Sequence, residues 1–256
     1  MFMEERQAKI LEILMQEGKV LVKELAETFG VTEDSIRKDL GALEAEGQLK
    51  RTYGGAVSIK EKLHVAEANR RRISYVEAKR KIAAAAVKLI TPQDLIFLDT
   101  STISIAIAEI LSKTETEFKI LTNMIDVLVM LARNPKINLI FAGGQINKNR
   151  DGFLDGLNLE FMSNFHPSVA FIGVVGVDIE KNSLSTNDSN TGIHKRRIIE
   201  LSKNVYVMAE SGKFGTEGNF NFATLQKVKG LITETAPPKK ILDVAKKMQL
   251  EIILPN

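Results

Sequence analysis

The sequence lacks cysteine and tryptophan, contains few aromatic residues, and has no long hydrophobic segment. With no cysteine among the 256 residues, disulfides and thiolate metal sites are excluded. No apolar run is long enough to span a bilayer, and the acidic Glu4 and Glu5 argue against a signal peptide. Hydrophobic residues make up 44% and aromatic residues 6%, which is typical of a globular protein with an aliphatic core. We therefore expect a cytoplasmic protein with two domains or one large one.

The histidines give no sign of a metal site. His64, His166 and His194 are scattered without the spacing of metal ligands. We interpret all three as structural, and we predict neither a metal nor a cofactor.

Positive charge is local rather than general. The formal net charge is +3, but residues 1–62 contain ten Lys or Arg and twelve Asp or Glu, a sum of −2. Basic runs at 70–72 and 79–81 are interpreted as solvated helix surface, with a nucleic-acid contact as the alternative. An isolated N-terminal domain of this charge would bind DNA weakly, because affinity depends on phosphate neutralisation. Two copies in an oligomer would compensate.

The segment from Val31 to Val57 has the pattern of a DNA-reading helix followed by a hairpin. Three apolar residues fall on one side of the predicted helix: Ile36, Leu40 and Leu43. The opposite side is small, polar and basic, and Thr32 is the predicted N-cap. Residues 48–51 and 56–59 could pair as two strands. A helix with one apolar face in a core and a small, polar, basic face towards solvent has the build of a major-groove reader.

Two shorter predicted helices precede this segment. Residues 6–17 have helical spacing and end at Gly18, and residues 22–29 end at Gly30. Together these elements predict a winged helix-turn-helix domain over residues 1–57, with a small helical packing domain as the alternative. The residues that we expect to contact double-stranded operator DNA are Thr32, Ser35, Arg37, Lys38, Lys50, Arg51 and Tyr53.

The rest of the chain has the pattern of an α/β domain. Residues 58–75 form a polar predicted linker, and a helix is predicted over 76–90. Short apolar runs then alternate with helical stretches. The predicted strands are 95–99, 118–122, 137–142, 169–175, 205–209, 231–233 and 251–254. Continuous apolar strands separated by helices predict a mainly parallel sheet over 76–256 with both faces covered.

Open α/β sheets bind ligands at the carboxyl ends of their strands. The first end leads through Asp99 into hydroxyl residues at a helix N-terminus, which together can form an anion site. Later ends carry polar or glycine residues: 122–123, 142–144, 176–178 and 210–215. Each is a weak signal alone, because such residues also occur as plain caps and turns. Together they favour a phosphorylated small molecule.

Both halves resemble the DeoR family of bacterial transcription regulators. The N-terminal matches are Arg6, ELA at 24–26, SIRKDL at 35–40 and the RTYGGA wing, although the family usually has Thr where this chain has Ser35. The C-terminal matches are LDTST, LTN, FAGG, GVD and SGKFG. The resemblance implies a repressor whose C-terminal sensor domain, related in fold to phosphosugar isomerases, binds a phosphorylated sugar.

The resemblance and the strand ends together nominate ten effector-binding residues. They are Asp99, Thr100, Ser101, Thr102, Asn123, Gly143, Gly144, Asp178, Lys195 and Lys213. The family's phosphate loop usually contains glycine where this chain has Ser101-Thr102-Ile103, and the added side chain would narrow the pocket. An alternative function is an active phosphosugar isomerase with a DNA-binding appendage, which would need a carboxylate base. The glutamate that often precedes Lys195 in the family is missing, so we predict a regulator rather than an enzyme.

The expected oligomeric state follows from the small number of base pairs that one helix can contact. A single helix-turn-helix reads only a few base pairs, so we expect a homodimer or homotetramer held through the second domain. We expect the phosphosugar to weaken DNA binding, with a degenerate pocket as the alternative.

Overall fold

The computed structural model of the protein describes residues 3–57 and 70–255. The described residues form two compact units: the first runs up to Ser74 and is assigned Lys148–Arg150 as well, and the second comprises the rest of the chain from Tyr75. Most of the predicted linker, residues 58–69, lies outside the described residues, as does His64. Residues 70–73 are helical. No helix in the described part of the chain is long and apolar enough to cross a membrane.

The first unit is a winged helix-turn-helix, as the sequence predicted. Its helices are α1 (Met3–Glu17), α2 (Val22–Phe29) and α3 (Glu33–Ala45). Its strands are β1 (Lys19–Leu21), β2 (Lys50–Thr52) and β3 (Gly55–Val57), with β3 in the middle and antiparallel to both neighbours. The predicted strand over 56–59 thus begins one residue earlier, and residues 58–59 lie beyond the described part.

The helix boundaries and the core of this unit follow the sequence signals. Gly30 ends α2 in the left-handed conformation, with φ of 64°. At Gly55, a Cβ atom would lie 2.0 Å from the carbonyl oxygen of Val20, so only glycine lets β3 pass β1 this closely. The fully or nearly fully buried core side chains include Ile10, Leu14, Leu25, Ile36, Leu40 and Leu43.

The second unit is built on a seven-stranded parallel sheet, which confirms the predicted fold class. Its strands are β4 (Leu95–Leu98), β5 (Phe118–Thr122), β6 (Ile137–Phe141), β7 (Val169–Gly173), β10 (Asn204–Met208), β12 (Gly230–Ile232) and β13 (Glu251–Ile253). Their spatial order is β13-β12-β10-β7-β4-β5-β6, and every neighbouring pair is parallel. The chain therefore winds outwards in both directions from β4 and β7, which meet at the topological switch point.

Helices cover both faces of this sheet. They are α4 (Val76–Val87), α5 (Thr102–Leu111), α6 (Ile125–Leu131), α7 (Gly156–Met162), α8 (Ser189–Leu201) and α9 (Lys239–Lys247). Ile96 and Leu98 of β4 pack with α4, α5 and α6, whereas Phe97 between them packs with residues from α7, α8 and α9. Alternate residues of one strand thus serve two separate cores, as expected for a buried parallel strand.

A second, antiparallel sheet corrects one prediction. Residues 176–178 were predicted as the carboxyl end of a strand over 169–175, but β7 ends at Gly173. The segment is instead β8 (Gly176–Asp178), which pairs with β9 (Ser183–Thr186), and β9 pairs with β11 (Phe220–Ala223). Short 3-10 helices over Ser211–Lys213 and Leu225–Lys227 complete the unit.

Candidate functional site

The outward surface of α3 begins with an ordered cap. Thr32 Oγ1 accepts a hydrogen bond from the backbone N–H of Ser35 at 3.3 Å, and the two hydroxyl oxygens are 3.0 Å apart. This satisfies one of the free N–H groups at the helix start. Thr32 is exposed and Ser35 half-buried, so both hydroxyls lie at the entrance of the helix.

The basic pair on α3 is exposed but unequal in its contacts. Arg37 Nη2 lies 2.5 Å from Glu33 Oε2, and Arg37 Nη1 lies 3.4 Å from Asp34 Oδ1. Lys38 is exposed and has no ion pair within the described residues. The arginine that was predicted to reach DNA is therefore held along its own helix in this structure.

A buried ion pair that the sequence did not reveal fixes α3 to α1. Asp39 is 1% exposed, and its two carboxylate oxygens accept from Arg6 Nε at 2.5 Å and from Arg6 Nη2 at 3.2 Å. This hydrogen bonding, assisted by the charge of Asp39, raises the pKa of Arg6. A two-point contact between a planar guanidinium and a carboxylate sets orientation as well as distance. The angle of the reading helix therefore depends on Arg6.

The wing presents its predicted residues to solvent. Lys50, Arg51 and Tyr53 are all exposed, and the Tyr53 ring at the hairpin turn is uncovered. The backbone N–H of Arg51 donates to Glu44 Oε1 at 2.8 Å, which ties the wing to α3. A Cβ at Gly41 would lie 3.6 Å from Arg51 Nη1, an ordinary contact distance, so this guanidinium lies alongside α3.

In the second unit, the structure brings several predicted effector residues together at the switch point. A small, partly open cavity of about 10 Å³ adjoins the carboxyl ends of β4 and β5. The residues that line it are Phe97, Asp99, Thr100, Asn123, Leu154, Thr191, His194, Lys195 and Ile198. Four of the ten predicted residues are thus among the lining residues: Asp99, Thr100, Asn123 and Lys195.

Asp99 and Lys195 form a buried ion pair at the base of this cavity. Asp99 is 3% exposed and Lys195 is 7% exposed, and the Lys195 ammonium contacts Asp99 Oδ2 directly. Asp99 also accepts from the backbone N–H of Gly173 at 2.9 Å and from the Ser104 hydroxyl at 3.1 Å. Both oxygens of the carboxylate therefore have donors, and the positive charge of Lys195 is balanced within the protein.

The loop from Thr100 to Thr102 leads into α5 as predicted, with Ser101 as its cap. The Ser101 hydroxyl accepts from the backbone N–H of Ser104 at 3.2 Å. The backbone N–H groups in the first turn of α5 have no carbonyl partner within the helix. Ser101 stands where the family's loop usually begins with glycine, and neither Ser101 nor Ile103 is among the residues that line the cavity. Ile103 is 1% exposed and packs into the core with α4 and α6.

Asn123 contains an unsatisfied acceptor beside the cavity. Its Nδ2 donates to the carbonyl oxygen of Phe153 at 2.7 Å, while its Oδ1 is buried and has no hydrogen-bond partner among the described residues. The backbone N–H of Phe153 donates in return to the Asn123 carbonyl at 3.0 Å. A Cβ at Gly152 would lie 2.5 Å from Thr100 Cγ2, so the segment 151–154 closes directly against two lining residues.

His194 was interpreted as structural, but it lines the cavity and has a defined tautomer. Asn158 donates through Nδ2 to the carbonyl oxygens of Ala142 and Gly143, at 2.5 and 3.0 Å, so its Oδ1 is the atom 2.5 Å from His194 Nε2. An amide oxygen only accepts, so Nε2 carries the proton. Burial, with the charge of Lys195, lowers the pKa of His194 to about 4. The imidazole is thus neutral near pH 7.

The glycines after β6 are connected to the cavity indirectly. Gly143 reaches His194 through Asn158. Gly144 has φ of 148°, and a Cβ there would lie 2.2 Å from Asp155 Oδ1, the carboxylate that caps α7. Neither glycine lines the cavity itself.

Asp178 and Lys213 lie outside this group of residues. Asp178 Oδ1 accepts from the backbone N–H of Lys181 at 2.8 Å in the small sheet. Lys213 Nζ is 2.5 Å from Glu210 Oε2 beyond the end of β10, so its charge is balanced there. Within residues 3–57 and 70–255, no group of three or more His, Asp or Glu side chains is arranged to hold a metal ion.

Comparisons with known proteins match both units. A family model described as the DeoR C-terminal sensor domain matches residues 74–235, and one described as the DeoR-like helix-turn-helix domain matches residues 6–62. An uncharacterized HTH-type transcriptional regulator of Bacillus subtilis, YulB, is 34% identical over 235 residues, which cover 92% of this chain and 90% of the relative. The glycerol-3-phosphate regulon repressor of Escherichia coli K12 is 28% identical over 240 residues, 94% of each chain.

Solved structures resemble this chain more distantly. Ribose 5-phosphate isomerase A from Methanocaldococcus jannaschii has a TM-score of 0.42 and 15% identity, covering 55% of each chain. A similarity of this size supports no statement about function.

Proposed function

Because the chain belongs to the DeoR family of transcriptional regulators, we propose that it represses a sugar-metabolism operon and that a phosphorylated sugar releases it from operator DNA. One observation carries the proposal: a helix with the build of a DNA reader and a cavity with polar residues in its lining, at a sheet switch point, occur in the same chain. The alternative of an active isomerase has no support, since the matched relatives are named as a regulator and a repressor.

The DNA-binding part of the proposal assigns base contacts to α3 and backbone contacts to the wing. Arg37 and Lys38 project from the surface opposite the buried residues of α3. Lys50, Arg51 and Tyr53 are exposed on the adjoining hairpin, in positions suited to phosphate contacts. If Arg37 makes a bidentate contact with guanine, Arg37→Ala should cost on the order of 1–3 kcal/mol of operator affinity.

The effector part of the proposal rests on complementary polar groups around the cavity. The N-terminus of α5, with the hydroxyls of Thr100 to Thr102, suits a phosphate. The unsatisfied Asn123 Oδ1 suits a hydroxyl donor, because a buried acceptor without a partner is costly. Lys195 supplies a buried ammonium with further donors, which suit a ligand oxygen while the contact with Asp99 is kept. A polyhydroxylated phosphate provides the matching groups for all three.

The size of the cavity supports a conformational change on binding. Its volume of about 10 Å³ is far below the roughly 300–1,000 Å³ of typical ligand sites, so a sugar phosphate needs the site to enlarge. The segment 151–154 is the proposed moving part, because it closes on Thr100 and is held to Asn123 by two hydrogen bonds. A ligand that takes over the polar groups of Asn123 would weaken that closure. This gives the two states that ligand control of DNA affinity requires.

Assembly and location follow from the same proposal. Useful operator specificity needs two reading helices on neighbouring half-sites, so we propose a homodimer or homotetramer held through the second unit. A repressor acts where the chromosome is, which in a bacterium is the cytoplasm. Light scattering at micromolar concentration should give at least twice the mass of 28.4 kDa, and a monomer with and without DNA would contradict this assembly.

A thermal-shift screen of the full chain tests the effector proposal. The probes are glycerol 3-phosphate, ribose 5-phosphate, fructose 6-phosphate and glucose 6-phosphate, with inorganic phosphate as the control. A ligand at roughly a hundred times its dissociation constant should add about 2.7 kcal/mol to the free energy of unfolding. We expect one sugar phosphate to stabilise the protein well beyond inorganic phosphate. If none does, this effector class is wrong for the chain.

A further inference from the structure

Two carboxylates on α3 neutralise the arginine that the proposed function directs to DNA. Arg37 lies 2.5 Å from Glu33 and 3.4 Å from Asp34, between the atoms given above. The side chains of Arg37, Glu33 and Asp34 are 52%, 46% and 79% exposed, respectively. The guanidinium charge is therefore balanced on the DNA-facing helix itself before any DNA arrives.

These carboxylates are not needed to build the helix. Thr32 already accepts the hydrogen bond from the backbone N–H of Ser35, so the helix start is capped without Glu33 or Asp34. The carboxylate that anchors α3 in the unit is Asp39, which is buried against Arg6. Exposed ion pairs one helical turn apart contribute little to stability. Both lie in the first turn of α3, where carboxylates stabilise a helix modestly, and their contacts with Arg37 point to a second role in DNA binding.

We propose that Glu33 and Asp34 are specificity-determining residues that withhold Arg37 from the phosphates of arbitrary DNA. A DNA phosphate offers Arg37 an exposed charge contact much like those with Glu33 and Asp34. Exchanging the carboxylates for a phosphate therefore adds little binding free energy. The edge of a guanine offers two hydrogen bonds in fixed geometry, so there the exchange is favourable. Binding to random DNA is therefore weakened more than binding to the operator.

The inference rests on the proposed DNA contact of Arg37, and a cycle of variants tests it. The full chain is prepared as wild type, as Glu33→Gln with Asp34→Asn, as Arg37→Ala, and as all three changes together. Fluorescence anisotropy measures affinity for a labelled random-sequence duplex over a series of KCl concentrations. The matched control is Glu12→Gln with Glu27→Gln, which removes the same charge from exposed positions on α1 and α2.

The two-carboxylate variant should bind random DNA about three- to fivefold more tightly than wild type, the factor that corresponds to two surface ion pairs. The slope of log affinity against log salt should steepen by about 0.9, because Arg37 now releases a counterion from the duplex. In the Arg37→Ala protein the same two changes should increase the affinity for random DNA clearly less. The control changes should increase it by the same factor with and without Arg37.

The operator provides the second measurement. With a duplex that carries the operator mapped by footprinting, the two-carboxylate variant should gain less than with random DNA, so the ratio of the two affinities falls. An unchanged ratio, or an equal gain with and without Arg37, would overturn the inference. If the double variant fails to fold, the single variants Glu33→Gln and Asp34→Asn give the same comparison. Failure of the proposed function would differ, since wild type would then not recognise an operator.

Discussion

Replacing Lys195 by methionine should destabilise the second unit strongly, because it leaves Asp99 buried without its ion-pair partner. Asp99 is 3% exposed and would keep only the Gly173 N–H and the Ser104 hydroxyl as donors. Breaking a buried ion pair by removing one partner costs about 3–5 kcal/mol. We expect a loss of this size in the free energy of unfolding, measured by urea denaturation followed by circular dichroism.

Two further variants isolate the pairing from general effects of losing a lysine. Lys181→Met is the matched control, since Lys181 pairs with Glu217 at 2.7 Å but is 62% exposed, and its loss should cost far less stability than the loss of Lys195. In the double variant Asp99→Asn with Lys195→Met, no buried charge remains unpaired. Its cost should be smaller than the sum of the two single costs by at least about 1 kcal/mol. Additive costs, or a Lys195→Met loss no larger than that of Lys181→Met, would refute the reasoning.

Three further predictions concern His194, the wing and Asn123. The folded-state pKa of His194, about 4, lies below the unfolded value near 6.5. The stability that depends on a neutral His194 is therefore fully present above pH 6.5 and is lost as pH falls towards 4. This loss amounts to roughly 3 kcal/mol in the free energy of unfolding. Between pH 6.5 and 4 the urea midpoint of His194→Gln should therefore fall less than that of wild type, and equal pH profiles would contradict the assignment. Gly55→Ala should unfold the wing, whose backbone has no room for a Cβ, whereas Gly41→Ala should stabilise α3 by up to about 1 kcal/mol in thermal melts; the opposite order would contradict the packing. Asn123→Leu should abolish the thermal shift given by the best sugar phosphate, and a full shift would remove Asn123 from the site.

The sequence predicted the elements whose signals are local and missed those that depend on distant partners. The reading helix carries its own cap at Thr32 and its own apolar stripe, so it could be located from pattern alone. Strand β1 has three residues and exists through its pairing with β3, more than thirty residues later. The small sheet joins β9 to β11 across a similar distance, which is why residues 176–178 were predicted as the end of the preceding strand and not as part of this sheet.

The residues of the candidate site also fall into those that the sequence indicates and those that depend on the tertiary fold. Asp99, Thr100 and Asn123 directly follow strands of the parallel sheet, so the rule for strand ends could nominate them. Thr191 and His194 reach the cavity from α8, whose crossing over the sheet is a property of the tertiary fold. The Arg6–Asp39 pair likewise joins residues 33 positions apart. No spacing rule in the sequence indicates such contacts.

Ligand control of operator affinity is the central claim, and one titration tests it most directly. Anisotropy of a labelled operator duplex is measured with the full chain, with and without the sugar phosphate that gives the largest thermal shift, for wild type and Asn123→Leu. We predict that the ligand weakens wild-type binding by roughly 5- to 150-fold, the usual range of coupling between two sites, and leaves the variant unchanged. Equal affinity of wild type with and without the ligand would contradict the account.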